Sequence, residues 1–358
     1  MIRCAFYAPL KSPNHPVPSG DRTVARAIIA ALEYAGYHVA LAAEFSCRDG
    51  AGDEACQQAL INEAALLKDK IVDQGRSAGW QVWITYHNYY KAPDLLGPDV
   101  AKALGIPYVL IEATRARKRL VGPWAQFAQL AEAASDSAAT IFYLTHRDAE
   151  ALIAYAPPDQ RHVQLRPFLP TDSLPPESYG SPRMLSVGMF RQGDKLASYK
   201  LIAEVLALLK TPDWTLAVAG DGPARSEVET ALADHAQRIE WLGHCNTQQL
   251  AVACTNSGIL LWPGVNEAFG MAYLEAQAAG LVAVAQDRPG VRDVLAPVLD
   301  RPTPDAGADA LAQQLDDLLQ NPEKRRAAGQ QSRDYVAGHH LLAAASKTLD
   351  TELKALLK

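Results

Sequence analysis

Residues 267–275 read EAFGMAYLE and place two glutamates eight positions apart around a single glycine. The apolar run at 258–263, just before them, is typical of a buried strand stopped by proline. The alanine-rich run at 271–279 is typical of a helix that Gly280 ends. The sequence therefore predicts a strand, a loop, a helix and a second strand, the repeating unit of an open α/β sheet.

The junction between this loop and helix has the chemistry of a nucleotide-sugar site. The N–H groups of Gly270 and Met271 would lie unpaired at the helix start, where the helix dipole favours a phosphate. Glu267 precedes the helix and would face the reacting sugar. Glu275 lies about two turns further on, at about 3.6 residues per turn, where its carboxylate can accept two hydrogen bonds from a ribose. The alternative is that both glutamates are solvated charges on an ordinary helix.

Residues 266–295, NEAFGMAYLEAQAAGLVAVAQDRPGVRDVL, resemble the signature region of the retaining glycosyltransferases called family four, which have the GT-B fold. The resemblance continues upstream, in the family's order, through MLSVG (184–188), TLAVAGDGP (215–223) and EWLG (240–243). It covers residues 184–296 well. The first half carries only the general pattern of strands and helices, with GIPYV (105–109) as a recognisable piece.

Two sets of alternating strand-like and helical patterns predict parallel sheets with helices on both faces. Together with the resemblance they imply an α/β protein of two Rossmann-like, doubly wound domains that face a cleft. We expect an acceptor-side domain at 1–170, a proline-rich linker at 171–183 and a nucleotide-sugar-binding domain at 184–339. The family's last helix crosses back, so the tail at 340–358 is expected to pack on the first domain.

The resemblance implies a catalytic role for Glu267 and for a basic pair that neutralises the donor diphosphate. Arg191 and Lys195 are the predicted pair, because they follow the first strand of the second domain. The family's arginine normally follows the glycine directly, so Lys200 is a rival. A loop in which Asp194 forms salt bridges with this pair is the structural alternative.

The other donor contacts are expected at the helix start, at a second glycine turn and in a base-contacting loop. These predicted donor-binding residues are Glu275, Phe269, Gly270, Met271, Gly220 and His244. A dinucleotide fold is the alternative for the Gly220 turn, but it needs Gly-x-Gly-x-x-Gly and the last position here is Arg225. An oxidoreductase is therefore disfavoured. A lone histidine such as His244 is more often an ordinary surface or core residue.

The first domain is expected to supply the acceptor site. The predicted acceptor-binding residues are Gly20, Arg22, His87 and Glu112. Gly20 permits close backbone approach, with helix capping by Ser19 or Asp21 as the alternative. The polar aromatic run at 85–90 suits stacking on a sugar, or packing on the next helix. Glu112 stands where many family members carry a histidine, which leaves its role open between donor-sugar contact and acceptor binding.

A basic cluster follows Glu112. Arg115, Arg117, Lys118 and Arg119 have the charge to meet a phosphorylated or lipid-linked acceptor. A solvated loop is the alternative.

Composition limits the function classes. A length of 358 residues favours two domains, and the net charge of −6 argues against nucleic acid. No apolar run approaches the roughly 20 residues of a membrane span, and the N-terminus shows no signal peptide, so we expect a cytoplasmic protein with at most peripheral membrane contact. Five cysteines without a Cys-x-x-Cys pair fit neither a disulfide framework nor a zinc site.

The sequence also lacks an Asp-x-Asp pair, a Gly-x-Ser-x-Gly turn and a His-Glu-x-x-His motif, so we expect neither a metal nor a cofactor. The resemblance implies a retaining hexosyltransferase that moves a sugar from a UDP-, GDP- or ADP-sugar to a hydroxyl of a sugar or lipid-linked acceptor, with cell-envelope glycans among the candidates. A silent nucleotide-sugar-binding protein and a nucleotide-sugar epimerase are the alternatives.

Overall fold

The computed structural model describes residues 1–17 and 19–358. The chain forms two compact units, one of Met1–Arg166 with Leu342–Lys358 and one of Pro167–Leu341. The predicted linker at 171–183 lies inside the second unit. Each unit contains one wholly parallel sheet, which confirms the prediction of two α/β domains.

The first unit has six strands in the order β2-β1-β3-β4-β5-β6. The strands are β1 Arg3–Tyr7, β2 His38–Leu41, β3 Val82–Asn88, β4 Tyr108–Ala113, β5 Thr140–Tyr143 and β6 Arg161–Gln164. The helices are α1 Gly20–Tyr34, α2 Glu54–Ala78, α3 Gly97–Leu104, α4 Ala125–Ser137 and α5 His146–Ala154. The central strands are almost fully buried, as expected for a sheet read from near-continuous apolar runs.

The second unit has five strands in the order β11-β10-β7-β8-β9. The strands are β7 Met184–Val187, β8 Leu216–Ala219, β9 Ile239–Gly243, β10 Ile259–Leu261 and β11 Val282–Val284. The helices are α6 Asp194–Ala207, α7 Arg225–Ala231, α8 Thr247–Thr255, α9 Met271–Ala278, α10 Gly307–Gln320 and α11 Pro322–His339. The strand order reverses between β7 and β10, which makes this pair the topological switch point of the sheet.

The last helix, α12 Leu342–Leu356, packs against α1 of the first unit. The Tyr37 hydroxyl donates to Asp350 at 3.0 Å, and Arg161 forms an ion pair with Glu352 at 2.5 Å. The chain thus returns to its first unit after completing the second.

The proline-rich segment before β7 is held by α11. Arg333 donates to the carbonyl of Pro175 at 2.8 Å, and Arg325 donates to that of Gly180 at 3.1 Å. These bonds make the segment part of the second unit. Across the described residues no helix has both the length and the apolar character needed to span a membrane.

Candidate active site

The carboxyl ends of β7 and β10 are adjacent, because Met184 pairs with Ile259 and Leu185 with Leu260. Two loops leave this edge. Residues 188–193 lead into α6, and residues 262–270 lead into α9. Ligands of open α/β sheets bind outside the carboxyl ends of the strands at such a switch point.

Three side chains meet between these loops. Lys195, in the first turn of α6, forms an ion pair with Oε1 of Glu267. The indole N–H of Trp262 donates to the same oxygen at 2.9 Å, and Lys195 Nζ lies 5.3 Å from the centre of the Trp262 ring. The side chains of Glu267 and Lys195 are 11% and 26% exposed, so the carboxylate is held yet reachable. The structure thus brings together two of the three predicted catalytic residues.

The loop that carries Glu267 is fixed to the start of α6. Asn266 has a left-handed backbone (φ +48°), and its amide donates to Asp194 at 2.9 Å. The Val265 N–H donates to the Ser198 hydroxyl at 3.2 Å. Asp194 therefore pairs with Asn266, and no ion pair joins it to Arg191 or Lys195 in the part of the chain that the structure describes.

Gly270 is the residue before α9 and has a φ of +78°, a conformation that L side chains rarely adopt. A Cβ at this position would lie 2.8 Å from the Tyr273 ring. The glycine thus lets the loop turn directly into the helix. The Tyr273 N–H donates to the Gly270 carbonyl at 3.1 Å, whereas the N–H groups of Met271 and Ala272 lie in the first turn of α9, where a helix provides no acceptor and an anion can bind. Phe269 and Met271, on either side, are half-buried.

Glu275 lies deeper along α9 and is half-buried. Burial raises the pKa of this carboxyl to about 7. In the described residues Glu275 has no ion-pair partner, and the nearby Cys254 thiol has a pKa that burial raises to about 12. A carboxylate without a partner is suited to accept hydrogen bonds from a ligand.

The remaining donor-side predictions occupy different environments. Gly220 packs against the β7 loop, because a Cβ there would lie 2.0 Å from the carbonyl oxygen of Gly188. Arg191 and Lys200 are exposed, and so is His244 after β9. The residue directly after Gly188 is Met189, 48% exposed, where the family's arginine is expected.

The first unit carries a second polar group at the carboxyl edge of its sheet. Asp21, in the first turn of α1, hydrogen-bonds Nδ1 of His87 at 3.0 Å. Burial alone would lower the pKa of His87, but the charges of Glu112 and Asp21 outweigh it and the pKa is raised. The hydrogen bond with His87 lowers the pKa of Asp21. The pair therefore favours an imidazolium beside a carboxylate.

Two residues at this edge have strained backbones. His87 near the end of β3 has a φ of +68°, and Glu112 in β4 has a φ of +58°. Burial raises the pKa of Glu112, and its Oε2 atom is buried without a hydrogen-bond partner in the described residues. Left-handed conformations cost about 1–3 kcal/mol and cluster at functional sites.

Helix capping at the start of α1 is settled. Ser19 caps the helix, because its hydroxyl accepts from the Arg22 N–H at 3.3 Å. Gly20 has open space around the position of a Cβ. Nε of Arg22 is buried without a partner in the described residues. The predicted acceptor roles of Gly20 and Arg22 stay predictions.

Only some residues of the basic cluster after β4 are exposed. Arg115 is buried and pairs with Glu132 and Asp136, each at 2.7 Å. Arg117 lies 3.7 Å from Glu132 and stacks on Tyr155. Arg115 therefore does not fit the predicted contact with an acceptor phosphate.

Of the two side chains that contact Glu267, the sequence predicts Lys195 at the site, as one member of the basic pair, but not Trp262. Its signal was a tryptophan at a strand end, five positions before a glutamate.

Comparison with known proteins shows what this part of the chain is similar to. Residues 180–335 match the family described as glycosyl transferases group 1. A GDP-mannose-dependent monoacylated alpha-(1-6)-phosphatidylinositol monomannoside mannosyltransferase from Corynebacterium glutamicum is 28% identical over 144 residues, which are 38% of this chain and 37% of the relative. The matched segment thus spans little more than a third of that relative.

Two solved structures resemble the whole chain. Sucrose-phosphate synthase from Thermosynechococcus elongatus has a TM-score of 0.72 at 16% identity and covers 99% of each chain. HepE from Anabaena, in complex with UDP, has a TM-score of 0.74 at 13% identity, and the superposition covers 99% of this chain and 100% of the HepE chain. Residues 180–335 thus resemble the glycosyl transferases of group 1, and the whole chain shares the GT-B fold of these solved structures.

Proposed function

We propose that this protein moves a sugar from a nucleoside-diphosphate sugar to a hydroxyl group of an acceptor, with retention of the anomeric configuration. The observation that carries the proposal is the Glu267 carboxylate, which Lys195 and Trp262 hold at the switch point just before α9. The match of residues 180–335 to the glycosyl transferases of group 1 supports the reaction class. The proposal assigns Lys195, Glu267 and Glu275 to three different parts of the donor.

The donor diphosphate would lie at the start of α9 with Lys195 beside it. Positive charge from a lysine and from unpaired helix N–H groups stabilises the negative charge that develops on the leaving phosphate. Glu267 would then accept hydrogen bonds from hydroxyls of the transferred sugar. Glu275, two turns further along α9, would accept those of the ribose. Positive charge supplied by protein makes a divalent metal unnecessary in this scheme.

Retention follows if both bonds lie on one face of the sugar. The bond from C1 to the diphosphate oxygen breaks as the acceptor oxygen approaches C1 on the same face. The proton of the acceptor hydroxyl passes to the departing phosphate oxygen, so charge and atoms balance without a general base from the protein. His87, Glu112, Gly20 and Arg22 of the first unit are our proposed acceptor-side residues.

Relatives and neighbours suggest which donors to test. One relative is named GDP-mannose-dependent, and one neighbour was crystallised with UDP. We therefore propose a GDP- or UDP-sugar, with ADP-sugars as a third class, and a reaction in the cytoplasm. The proposed acceptor is a glycan or a lipid-linked sugar. With a lipid-linked acceptor, we expect the protein to contact the membrane at most peripherally.

Calorimetric titration with UDP, GDP and ADP, followed by turnover of the matching sugars, tests the proposal. Lys195→Ala should weaken binding of the preferred diphosphate by at least about tenfold, because a charge-assisted hydrogen bond contributes about 1.5–3 kcal/mol. Lys200→Ala tests the rival assignment on the same helix, and it should leave the affinity unchanged if Lys195 binds the diphosphate. Glu267→Gln should leave diphosphate affinity nearly unchanged and lower kcat by about a hundredfold.

The product and the metal requirement complete the test. Turnover that survives EDTA and yields the donor's anomer, as read by proton NMR, supports the scheme. Binding of none of the three diphosphates, or inversion at C1, contradicts it.

Met189 favours a second candidate, a binding protein that has lost transfer. A methionine in place of the expected arginine removes one positive charge from the diphosphate. Tight binding of a nucleotide sugar without transfer or hydrolysis would decide for this candidate. Installing the charge with Met189→Arg should then raise turnover.

A further inference from the structure

A second cluster of charged and aromatic side chains lies in the first unit, in the loops after β3 and β4. Lys91 and Arg119 both lie over the same two rings, those of Tyr90 and Trp124. Lys91 Nζ is 5.7 Å from the Tyr90 centroid and 5.3 Å from the Trp124 centroid. The Arg119 guanidinium carbon is 5.2 Å from each. We call these four residues the cation–aromatic cluster.

The cluster contains donors that lack acceptors. Neither Lys91 nor Arg119 forms an ion pair with any described residue, whereas Arg115 and Arg117 of the neighbouring segment both contact Glu132. Nε of Arg119 and Nε1 of Trp124 are buried without a hydrogen-bond partner among residues 1–17 and 19–358. Buried donors in native proteins are nearly always paired, so unpaired ones indicate a missing water or ligand. Two positive charges and an indole N–H favour an anionic oxygen ligand.

The segment after β2 contacts the loop before Trp124 and holds it in place. Asp49 accepts from the N–H groups of Ala51, Gly52 and Asp53 at 2.8–3.1 Å and so fixes the turn after β2. Gln57 bridges Asp49, at 2.8 Å, and the Pro123 carbonyl, at 2.9 Å.

Gly52 makes the contact with this loop close. It has a φ of +77°, and a Cβ on it would lie 2.6 Å from Pro123 and 3.3 Å from the Trp124 ring. Trp124 is therefore preorganised, which lowers the cost of binding.

A row of aromatic contacts joins this cluster to His87. Ring centroids are 4.8 Å apart for His87 and Tyr89, 5.6 Å for Tyr89 and Tyr90, and 5.7 Å for Tyr90 and Trp124. The row lies at the carboxyl edge of the sheet, where ligands of such folds bind. An acceptor with an anion at one end and a hydroxylated ring along the tyrosines would reach the His87–Asp21 pair.

We propose that Lys91, Arg119 and Trp124 bind a phosphate group carried by the acceptor. The inference rests on the proposed function, since it names the class of acceptor. Lysine and arginine supply charge, and the guanidinium and indole N–H groups donate to phosphate oxygens. The phosphate belongs either to a soluble sugar phosphate or to a lipid headgroup.

The first test titrates glucose 6-phosphate, with glucose as the uncharged comparison. The double variant Lys91→Gln with Arg119→Gln should weaken glucose 6-phosphate binding by at least about tenfold and leave glucose unaffected. Lys118→Gln is the matched control, because Lys118 is exposed on the same turn and makes neither ring contact. Trp124→Phe, which keeps a ring and removes the N–H, should weaken binding by several-fold.

The second test separates the two sources of phosphate. Vesicles of phosphatidylcholine with 30% phosphatidylglycerol, against phosphatidylcholine alone, are sedimented with wild type and the double variant. Loss of sedimentation in the double variant, together with no binding of glucose 6-phosphate by wild type, assigns the site to a headgroup. The reverse result assigns it to a soluble acceptor.

Equal binding by wild type and the double variant in both tests, or an equal loss in Lys118→Gln, overturns the inference. Nucleoside-diphosphate binding is measured on the same samples. If it persists while the phosphate site fails, the proposed function stands without this acceptor class. If it is absent while phosphate binding depends on Lys91 and Arg119, the proposed function fails and the site remains.

Discussion

At the scale of single residues, the Glu267 carboxylate shows how a loop side chain becomes a directional acceptor. One of its oxygens already receives the Trp262 indole and the Lys195 ammonium. Both partners are themselves restrained, since Trp262 is buried and Lys195 lies over its ring. The second oxygen is the one that would accept from the sugar hydroxyls in our proposal. Orientation of this kind contributes to catalysis because it needs no rearrangement during reaction.

Glu275 makes stability depend on pH. The folded chain keeps its proton up to about pH 7, whereas a free glutamate releases it near 4.5. Between these values the folded state binds more protons, so the free energy of unfolding falls as pH rises. At about 1.36 kcal/mol per pH unit the shift is on the order of 3 kcal/mol. Glu275→Gln should therefore match wild type near pH 4.5 and exceed it near pH 8 in urea denaturation.

Equal differences between Glu275→Gln and wild type at both pH values would mean that the carboxyl titrates normally. Glu204→Gln, at an exposed position on α6, serves as the control and should show no pH-dependent difference.

The same carboxyl should set the pH profile of nucleotide binding. A ribose donates two hydrogen bonds only to the ionised form, and one unit below the pKa about a tenth is ionised. Wild-type affinity for the preferred diphosphate should fall by about tenfold between pH 8 and pH 6. In Glu275→Gln, only the smaller dependence from phosphate titration should remain. Parallel profiles would show that Glu275 does not touch the nucleoside.

At the scale of secondary structure, the paired ends of β3 and β4 each contain one residue with a positive φ. Tyr86 pairs with Ile111 and Asn88 with Ala113, so His87 and Glu112 lie between these two pairs. Both are left-handed and non-glycine, so each interrupts the regular extended conformation of its strand at a cost in backbone strain. The hydrogen bond between Nδ1 of His87 and Asp21 helps to hold the imidazole there.

Paired substitutions at Glu112 measure this strain. Both Glu112→Gly and Glu112→Ala remove the carboxylate, but alanine in a left-handed conformation costs about 1–2 kcal/mol. The glycine variant should be the more stable by about 0.5–1 kcal/mol, after its greater unfolded-state entropy is subtracted. Thr114, exposed just after β4 and without a positive φ, gives the control pair, in which alanine should be the more stable. The same order at both positions would argue against strain at Glu112.

The elements themselves could be predicted where local pattern decides them. The apolar runs at 82–85 and 258–263 contain buried strands, because a strand that is covered on both faces of a sheet needs apolar residues at successive positions. Helix α2 was not predicted, since most of its residues are exposed and no apolar stripe marks it. The sequence predicted Arg191 and Lys195 as the basic pair with Lys200 as a rival, but not the contact of Lys195 with Glu267, because that contact depends on how loop 188–193 folds.

At the scale of the whole molecule, each unit has its own apolar core. The core of the second unit runs from Leu169 to Leu341, and a separate core of the first unit runs from Ala5 to Leu152. Helix α12 follows the second unit in sequence but packs on α1 of the first. The last 17 residues are therefore expected to control the stability of a unit whose other residues come before Pro167.

Leu349→Ala tests this connection. Leu349 is fully buried in α12, and truncation of a buried leucine costs about 2–5 kcal/mol. Because the two cores are separate, differential scanning calorimetry should show a lower melting temperature for the first unit only. Nucleoside-diphosphate binding, which we assign to the second unit, should keep its affinity at 20 °C. Lys347→Ala, exposed on the same helix, should change neither. A shift of the whole transition together with weaker nucleotide binding would instead show that the two units unfold as one cooperative structure.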